Sequence, residues 1–172
     1  MTATKRSERT VTVCALVGIL VVVSWLAVPI TLAAAETVKF RTVLVFTKME
    51  RIPVGDLEGH TVGICEQTGM SSYENGETAL IISRGTFDSM VGMETYCVQI
   101  FEDKSTQWLK IHGTCKPTED ENVYLFEGTL EFTSGTGRFE GIKGTGSFTG
   151  KHFGICRVVY FDCTASYTLT QH

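Results

Sequence analysis

Residues 128–150, GTLEFTSGTGRFEGIKGTGSFTG, hold seven of the 17 glycines in this chain and contain an internal repeat. Gly135 to Phe139 reads GTGRF, and nine residues further on Gly144 to Phe148 reads GTGSF. Glycine tolerates a positive φ and the close approach of neighbouring backbones, which turns and bulges require. Each copy is therefore predicted to be a tight glycine turn that leads into a short strand with one aromatic side chain pointing inward.

The segment before the repeat shows the clearest alternation in the chain. Polar side chains on one face, Glu127, Thr129, Glu131 and Thr133, alternate with the other face, Tyr124, Phe126, Gly128, Leu130 and Phe132. A period of two is typical of a strand with one solvated face.

Similar β-rich runs recur along the chain and are separated by glycine-containing turns. The other predicted strands are Val38–Thr47, Thr61–Cys65, Glu77–Phe87, Met90–Phe101, Gln107–Gly113 and a long run over Phe153–Leu169. Residues 48–60 are predicted to be a polar connection, and Gly69–Gly76 a loop with a turn at Asn75-Gly76. We predict an all-β domain, a small antiparallel eight-stranded β-barrel, because repeated glycines suit strands that bend to close a narrow cylinder.

Residues 1–35 have the pattern of a secretory signal peptide. Lys5, Arg6 and Arg9 precede an uncharged segment from Thr10 to Ala35, and Ala33-Ala34-Ala35 supplies small residues for cleavage before Glu36. The alternative is an uncleaved membrane anchor helix, since the uncharged segment is long enough to span a bilayer of about 30 Å. Either interpretation places residues 36–172, the barrel domain, outside the cytoplasm, in the periplasm or the extracellular space. Membrane contact is expected only through the N-terminal segment.

Residues 36–172 are acidic, with 12 Lys and Arg against 18 Asp and Glu. Nucleic acids and anionic membrane surfaces attract basic proteins, so neither is an expected partner.

The five cysteines after the leader are disulfide candidates, since thiols of exported proteins are usually oxidised. They are Cys65, Cys97, Cys115, Cys156 and Cys163. Cys156 and Cys163 are not expected to pair with each other, because an extended segment between them would hold them about 23 Å apart. The other pairings stay open.

The motif TSGTGRFEGIKGTGSFTG, residues 133–150, resembles the signature of the allene oxide cyclase barrel superfamily, which has relatives among dirigent proteins and exported bacterial proteins. Residues 52–65, IPVGDLEGHTVGIC, are similar to an early stretch of those cyclases. The resemblance implies a barrel whose lumen holds an apolar substrate. The plant cyclases also place a glutamate, an asparagine and a proline near the first strand. Residues 48–53, KMERIP, have no asparagine, so no catalytic residue is assigned.

Other chemistries lack their motifs. Gly144 to His152 does not have the spacing of a phosphate-binding loop, the histidines are isolated, and no G-x-S-x-G sequence occurs. We therefore expect no metal and no cofactor.

A small barrel can hold one small ligand in its lumen. The residues predicted to line such a lumen are Phe40, Glu50, Cys65, Tyr96, Trp108, His112, Tyr124 and Phe126. The sequence favours a non-enzymatic protein that binds a small hydrophobic ligand or serves as a structural or interaction module. The alternative is an isomerase or cyclase that acts on an apolar substrate in the lumen.

Overall fold

The structure is a computed structural model that describes residues 34–120, 122–153 and 157–170. Almost all of the predicted leader, together with Cys156, lies outside these residues. The described strands are β1 (Glu36–Pro53), β2 (Thr61–Tyr73), β3 (Thr78–Asp88), β4 (Gly92–Phe101), β5 (Thr106–Pro117), β6 (Val123–Thr136), β7 (Ile142–Phe153) and β8 (Val158–Leu169). A short 3₁₀ helix, η1 (Gly137–Phe139), lies between β6 and β7.

The eight strands form a closed barrel in which each strand pairs with the next along the chain. The barrel is closed by β1 and β8, which run antiparallel from the Glu36–Tyr167 pair to the Val45–Val158 pair. The side chains of Arg41 and Asp162 bridge these two strands at 2.7 Å on the exposed side, where an ion pair contributes only about 0–1 kcal/mol. The prediction of an all-β, antiparallel eight-stranded barrel is confirmed.

Strand β2 differs from its prediction. It continues to Tyr73, so the loop predicted from Gly69 is wrong for residues 69–73. The segment is rich in small polar residues, yet Ser71 and Tyr73 point inward and are buried. The turn at Asn75-Gly76 is confirmed, with Gly76 at a φ of 87° and its N–H donating to the Tyr73 carbonyl at 3.0 Å.

Strand β1 also extends further than the sequence predicted. It passes a bulge between Phe46 and Lys48 and remains paired with β2 as far as Pro53. The residues expected to form a polar connection therefore extend β1 past its pairing with β8, which ends at Val45, and only residues 54–60 connect β1 and β2.

The two copies of the glycine repeat have different structures. The first copy contains the turn, because Gly137 has a φ of 62° and begins η1. The second copy lies inside β7 rather than in a turn, so that part of the prediction is wrong. Phe139 and Phe148 are both buried, as predicted.

Gly146, the second of the two glycines in this copy, is required by close packing between strands. A Cβ atom added to Gly146 would lie 2.4 Å from the Thr164 carbonyl oxygen and 2.6 Å from the Ala165 Cβ atom. Its inward position holds no side chain, so β7 lies close against β8. We infer that this part of the barrel wall can approach the barrel axis because its inward-facing residues, such as Gly146 and Ala165, have small side chains or none.

One end of the barrel is filled by aromatic rings and is called the closed end here. Neighbouring rings have centroids 4.9 to 6.4 Å apart and belong to Phe40, Tyr73, Phe101, Phe139 and Tyr167. The Arg138 guanidinium lies 4.8 Å from the Phe101 ring and 4.7 Å from the Phe139 ring. It also pairs with Glu77. Access to the lumen is therefore blocked at this end.

Candidate functional site

A belt of polar side chains crosses the middle of the lumen. Gln99 connects two of its members: its Nε2 donates to Ser71 Oγ at 2.8 Å, and its Oε1 accepts from the Tyr73 hydroxyl at 2.6 Å. Ser71 Oγ also lies 2.8 Å from Thr42 Oγ1, and Gln107 Oε1 lies 3.2 Å from the Tyr73 hydroxyl. Within the described residues, every buried side-chain nitrogen or oxygen has a hydrogen-bond partner. The polar atoms of the belt are therefore engaged with other protein groups.

Gln99→Leu is expected to lower the free energy of unfolding by about 1–3 kcal/mol, because buried polar groups would lose a partner. Tyr73 would keep Gln107 and Ser71 would keep Thr42, which limits the loss. Urea unfolding measures it. The double variant Gln99→Leu with Ser71→Ala should lose less unfolding free energy than the sum of the losses in the two single variants, since the two residues share a hydrogen bond. Full additivity would mean that they do not interact.

Three cysteines lie in the lumen as buried thiols. Cys65, Cys97 and Cys163 are free, as is the exposed Cys115. Burial raises the pKa of Cys97 to about 11 and that of Cys163 to about 12. Neutral thiols of this kind behave as small apolar side chains and are poor nucleophiles. The four described cysteines thus form no disulfide with one another in this structure, and a role for Cys156 in a disulfide stays a prediction.

The space left inside the barrel is small. The luminal cavity has a volume of about 30 Å³, which is room for about one or two water molecules. Its lining is mostly apolar, with Leu44, Ile81, Leu109 and Phe148 beside the polar belt. Pockets that hold drug-sized ligands usually measure about 300–1,000 Å³.

Four of the predicted luminal residues have the expected orientation. Phe40 and Cys65 are buried and point into the barrel. The end of the barrel opposite the closed end is called the mouth here. Phe126 packs against the core near the mouth. Tyr124 lies beyond it on the same face, with its ring 6.0 Å from that of His152.

The other four predicted luminal residues lie outside the lumen, and their assignment was wrong. Tyr96 and Trp108 are 52% and 45% exposed on the outer wall, and His112 is exposed beside them on β5. Glu50 is exposed on the extension of β1, where it pairs with Lys48 at 2.9 Å. On β4 both faces carry apolar residues, so hydrophobicity alone does not identify the inward face, which holds Thr95, Cys97 and Gln99.

His60 links the loop that connects β1 and β2 to the end of β3. The imidazole Nδ1 lies 2.6 Å from Asp56 Oδ1 in the connecting loop, and Nε2 lies 3.1 Å from Asp88 Oδ1 at the end of β3. The hydrogen bond with Asp56 is the main reason that the pKa of His60 is raised, and burial partly opposes it. The pKa of Asp56 is lowered, first by the hydrogen bond with His60, and that of Asp88 is lowered, first by the Met90 N–H.

The attachment of this loop is expected to depend on pH. A raised His60 pKa contributes stability below the unfolded value of about 6.5, and this is lost as the pH rises through the folded pKa. Lowered aspartate pKa values contribute above about 3.9 and are lost as the pH falls through the folded pKa values. An NMR titration of the His60 ring should give a midpoint above that in urea-unfolded protein, and Asp56→Asn should lower it. Equal midpoints in the folded and unfolded states would contradict the contacts.

A second concave surface lies on the outer wall of the barrel and is called the outer groove here. It has a volume of about 720 Å³ and opens to solvent over β4 to β8. Its side chains are mostly polar: Glu94, Lys110, His112, Thr129, Glu131, Thr145, Ser147, Thr164 and Ser166. Leu130, Gly146 and Ala165 also line it.

No protein-family model matches the sequence, and no curated protein matches it significantly. Among the described residues there is no group of three or more His, Cys, Asp or Glu side chains placed to hold a metal ion. The same residues include no helix that is long and apolar enough to cross a membrane. The function is therefore inferred from the geometry of the lumen and of the outer groove.

Neither the polar belt nor the outer groove was predicted from the sequence. The sequence pattern that could have indicated the polar belt is the alternation on β4, where Thr95, Cys97 and Gln99 share one face and the other face carries Tyr96 and Val98. Which face points inward depends on pairing with distant strands, so that signal could not be interpreted before the register was known.

Proposed function

We propose that this protein is an exported, non-enzymatic β-barrel that serves as a binding and interaction module through its outer wall. The leader pattern of residues 1–35 supports export. The contrast between a luminal cavity of about 30 Å³ and an outer groove of about 720 Å³ supports the choice of surface.

The state of the luminal polar groups supports a non-enzymatic role. A cyclase or isomerase would need polar groups directed at its substrate and free to interact with developing charge. In the lumen, Gln99 and Tyr73 are instead bonded to protein groups. The cysteines nearby are neutral at ordinary pH because burial raises the pKa of Cys97 and Cys163.

The alternative is a luminal binder or cyclase for a small hydrophobic molecule. This alternative requires the cavity to expand roughly tenfold, to about 300 Å³ or more. Such expansion would have to displace the aromatic side chains that pack near the mouth, where the Phe148 and Phe161 rings lie 5.3 Å apart.

Thermal unfolding of the full chain with a long-chain fatty acid, such as oleate, tests the proposal. A ligand at 100 times its Kd stabilises the folded state by about 2.7 kcal/mol, which is readily visible as a rise in Tm. We expect no rise at concentrations below the micelle limit. The contradicting result is a saturable rise in Tm that is abolished by Cys163→Leu, a substitution in the lining of the luminal cavity, and retained by Leu80→Ala, a substitution on the outer surface.

A further inference from the structure

The outer groove has several hydroxyl groups that make no hydrogen bond within the protein. Among the described residues, no side chain or backbone group bonds the hydroxyls of Thr129, Thr145, Ser147 and Thr164. They lie on three adjacent strands, and pairing places Thr129 opposite Ser147 and Ser147 opposite Thr164. Side chains at alternate positions of one strand lie about 7 Å apart, and adjacent strands lie about 4.8 Å apart. The groove therefore presents a regular array of groups that can both donate and accept hydrogen bonds.

The groove contains one lysine and two glutamates, so one carboxylate has no oppositely charged partner there. Lys110 Nζ lies 3.0 Å from Glu94 Oε2, while Glu131 forms no ion pair within the described part of the chain. One unpaired carboxylate disfavours phosphates, nucleic acids and acidic sugars, because like charges repel. The same carboxylate can accept hydrogen bonds from neutral hydroxyl groups.

Two exposed aromatic side chains flank the groove. Trp108 lies two residues before Lys110 on the same face of β5, and Tyr96 lies two residues after Glu94 on β4. The position of Tyr96 is fixed by Lys110, whose Nζ lies 5.6 Å from the ring centroid, and by its hydroxyl, which donates to Glu94 at 3.3 Å. Such rings present a rigid apolar face with a polar edge, which suits ligands that have both kinds of surface. A sugar ring is such a ligand, with an apolar C–H face and a rim of hydroxyls.

We propose that the outer groove binds a neutral oligosaccharide. The inference rests on the proposed function, since it names the ligand class for the outer wall. Tyr96 and Trp108 stack on the apolar faces of sugar rings, and the hydroxyls of Thr129, Thr145, Ser147 and Thr164, with the Glu131 carboxylate, bond the sugar hydroxyls. Five strands at a spacing of about 4.8 Å span about 19 Å, so the site suits an oligosaccharide better than a single sugar.

The test is a two-dimensional NMR titration of the isotopically labelled full chain with cellohexaose, maltohexaose, chitohexaose and mannohexaose, up to millimolar concentration. At least one of them should shift the backbone amide signals of groove residues such as Thr129, Thr145 and Ser147, and leave unchanged the side-chain amide signals of Gln67 and Gln99, which line the luminal cavity. Trp108→Ala, and separately Thr145→Val with Ser147→Ala, should weaken that binding at least tenfold. Thr78→Val, an exposed substitution on β3 outside the groove, should bind as the unmodified protein does.

The outcomes separate the two proposals. Failure of all four sugars to shift the groove signals overturns the saccharide assignment and leaves the outer-wall function standing. Tighter binding of an acidic hexasaccharide, such as hexagalacturonate, overturns the neutral ligand class. Saturable shifts confined to luminal side chains, such as the amide groups of Gln67 and Gln99, overturn both the saccharide site and the outer-wall function.

Discussion

Phe132→Ala is expected to lower the free energy of unfolding by about 3–5 kcal/mol, the usual range for removing a buried phenylalanine ring. Phe132 is 0% exposed, and its ring lies 5.6 Å from that of Tyr167 on β8. β6 and β8 both flank β7, and Phe132 and Tyr167 are both paired with Gly144, so the two rings meet over this glycine and the cavity would open there. Urea unfolding followed by circular dichroism measures the loss.

The matched control is Leu80→Ala, which truncates an exposed side chain on the outer surface of β3. Surface substitutions usually change stability by no more than about 0.5 kcal/mol. A loss of less than about 1 kcal/mol for Phe132→Ala would contradict its place in the core.

Gly146→Val is expected to lower the free energy of unfolding by about 3 kcal/mol, at the upper end of the range for overpacking. The new Cβ atom would lie 2.4 Å from the Thr164 carbonyl oxygen, which is part of the β7–β8 ladder and cannot move independently. Replacing glycine also restricts the unfolded chain, but that gain is only about 0.4–1 kcal/mol. The clash therefore outweighs the gain.

Thr145→Val is the control for this substitution, since Thr145 precedes Gly146 on β7 and points outward. Valine at that position should change the free energy of unfolding by about 0.5 kcal/mol or less. If Gly146→Val were as mild as its control, β7 would not lie against β8 as closely as the structure shows.

The architecture could be predicted from sequence because its signals are local. The alternation around Phe126 and Leu130 and the turn at Asn75-Gly76 depend on neighbouring residues, and both are confirmed. The end of β2 was missed because Gly69 and Ser71 have turn-like composition, and only pairing with β1 and β3 keeps them extended.

The site was harder to predict because it depends on contacts between distant residues. Whether Tyr96 faces the lumen or the solvent is decided by the register of β4 against β3 and β5. The groove is formed by residues from five strands, and its concavity cannot be read from any one of them. A period-two pattern identifies two faces of a strand, but only the core-facing contacts determine which face is which.

Thiol accessibility tests most directly the central claim that the lumen is filled and does not admit a ligand. A full chain with Cys14→Ser and Cys156→Ser would retain only the four described cysteines. We predict that, in the native state, a thiol reagent labels Cys115 rapidly, and that Cys65, Cys97 and Cys163 react only as the protein unfolds, because the first is exposed and the others are buried. Rapid labelling of the three luminal thiols in the folded protein, or a count below four after unfolding without reductant, would contradict the account.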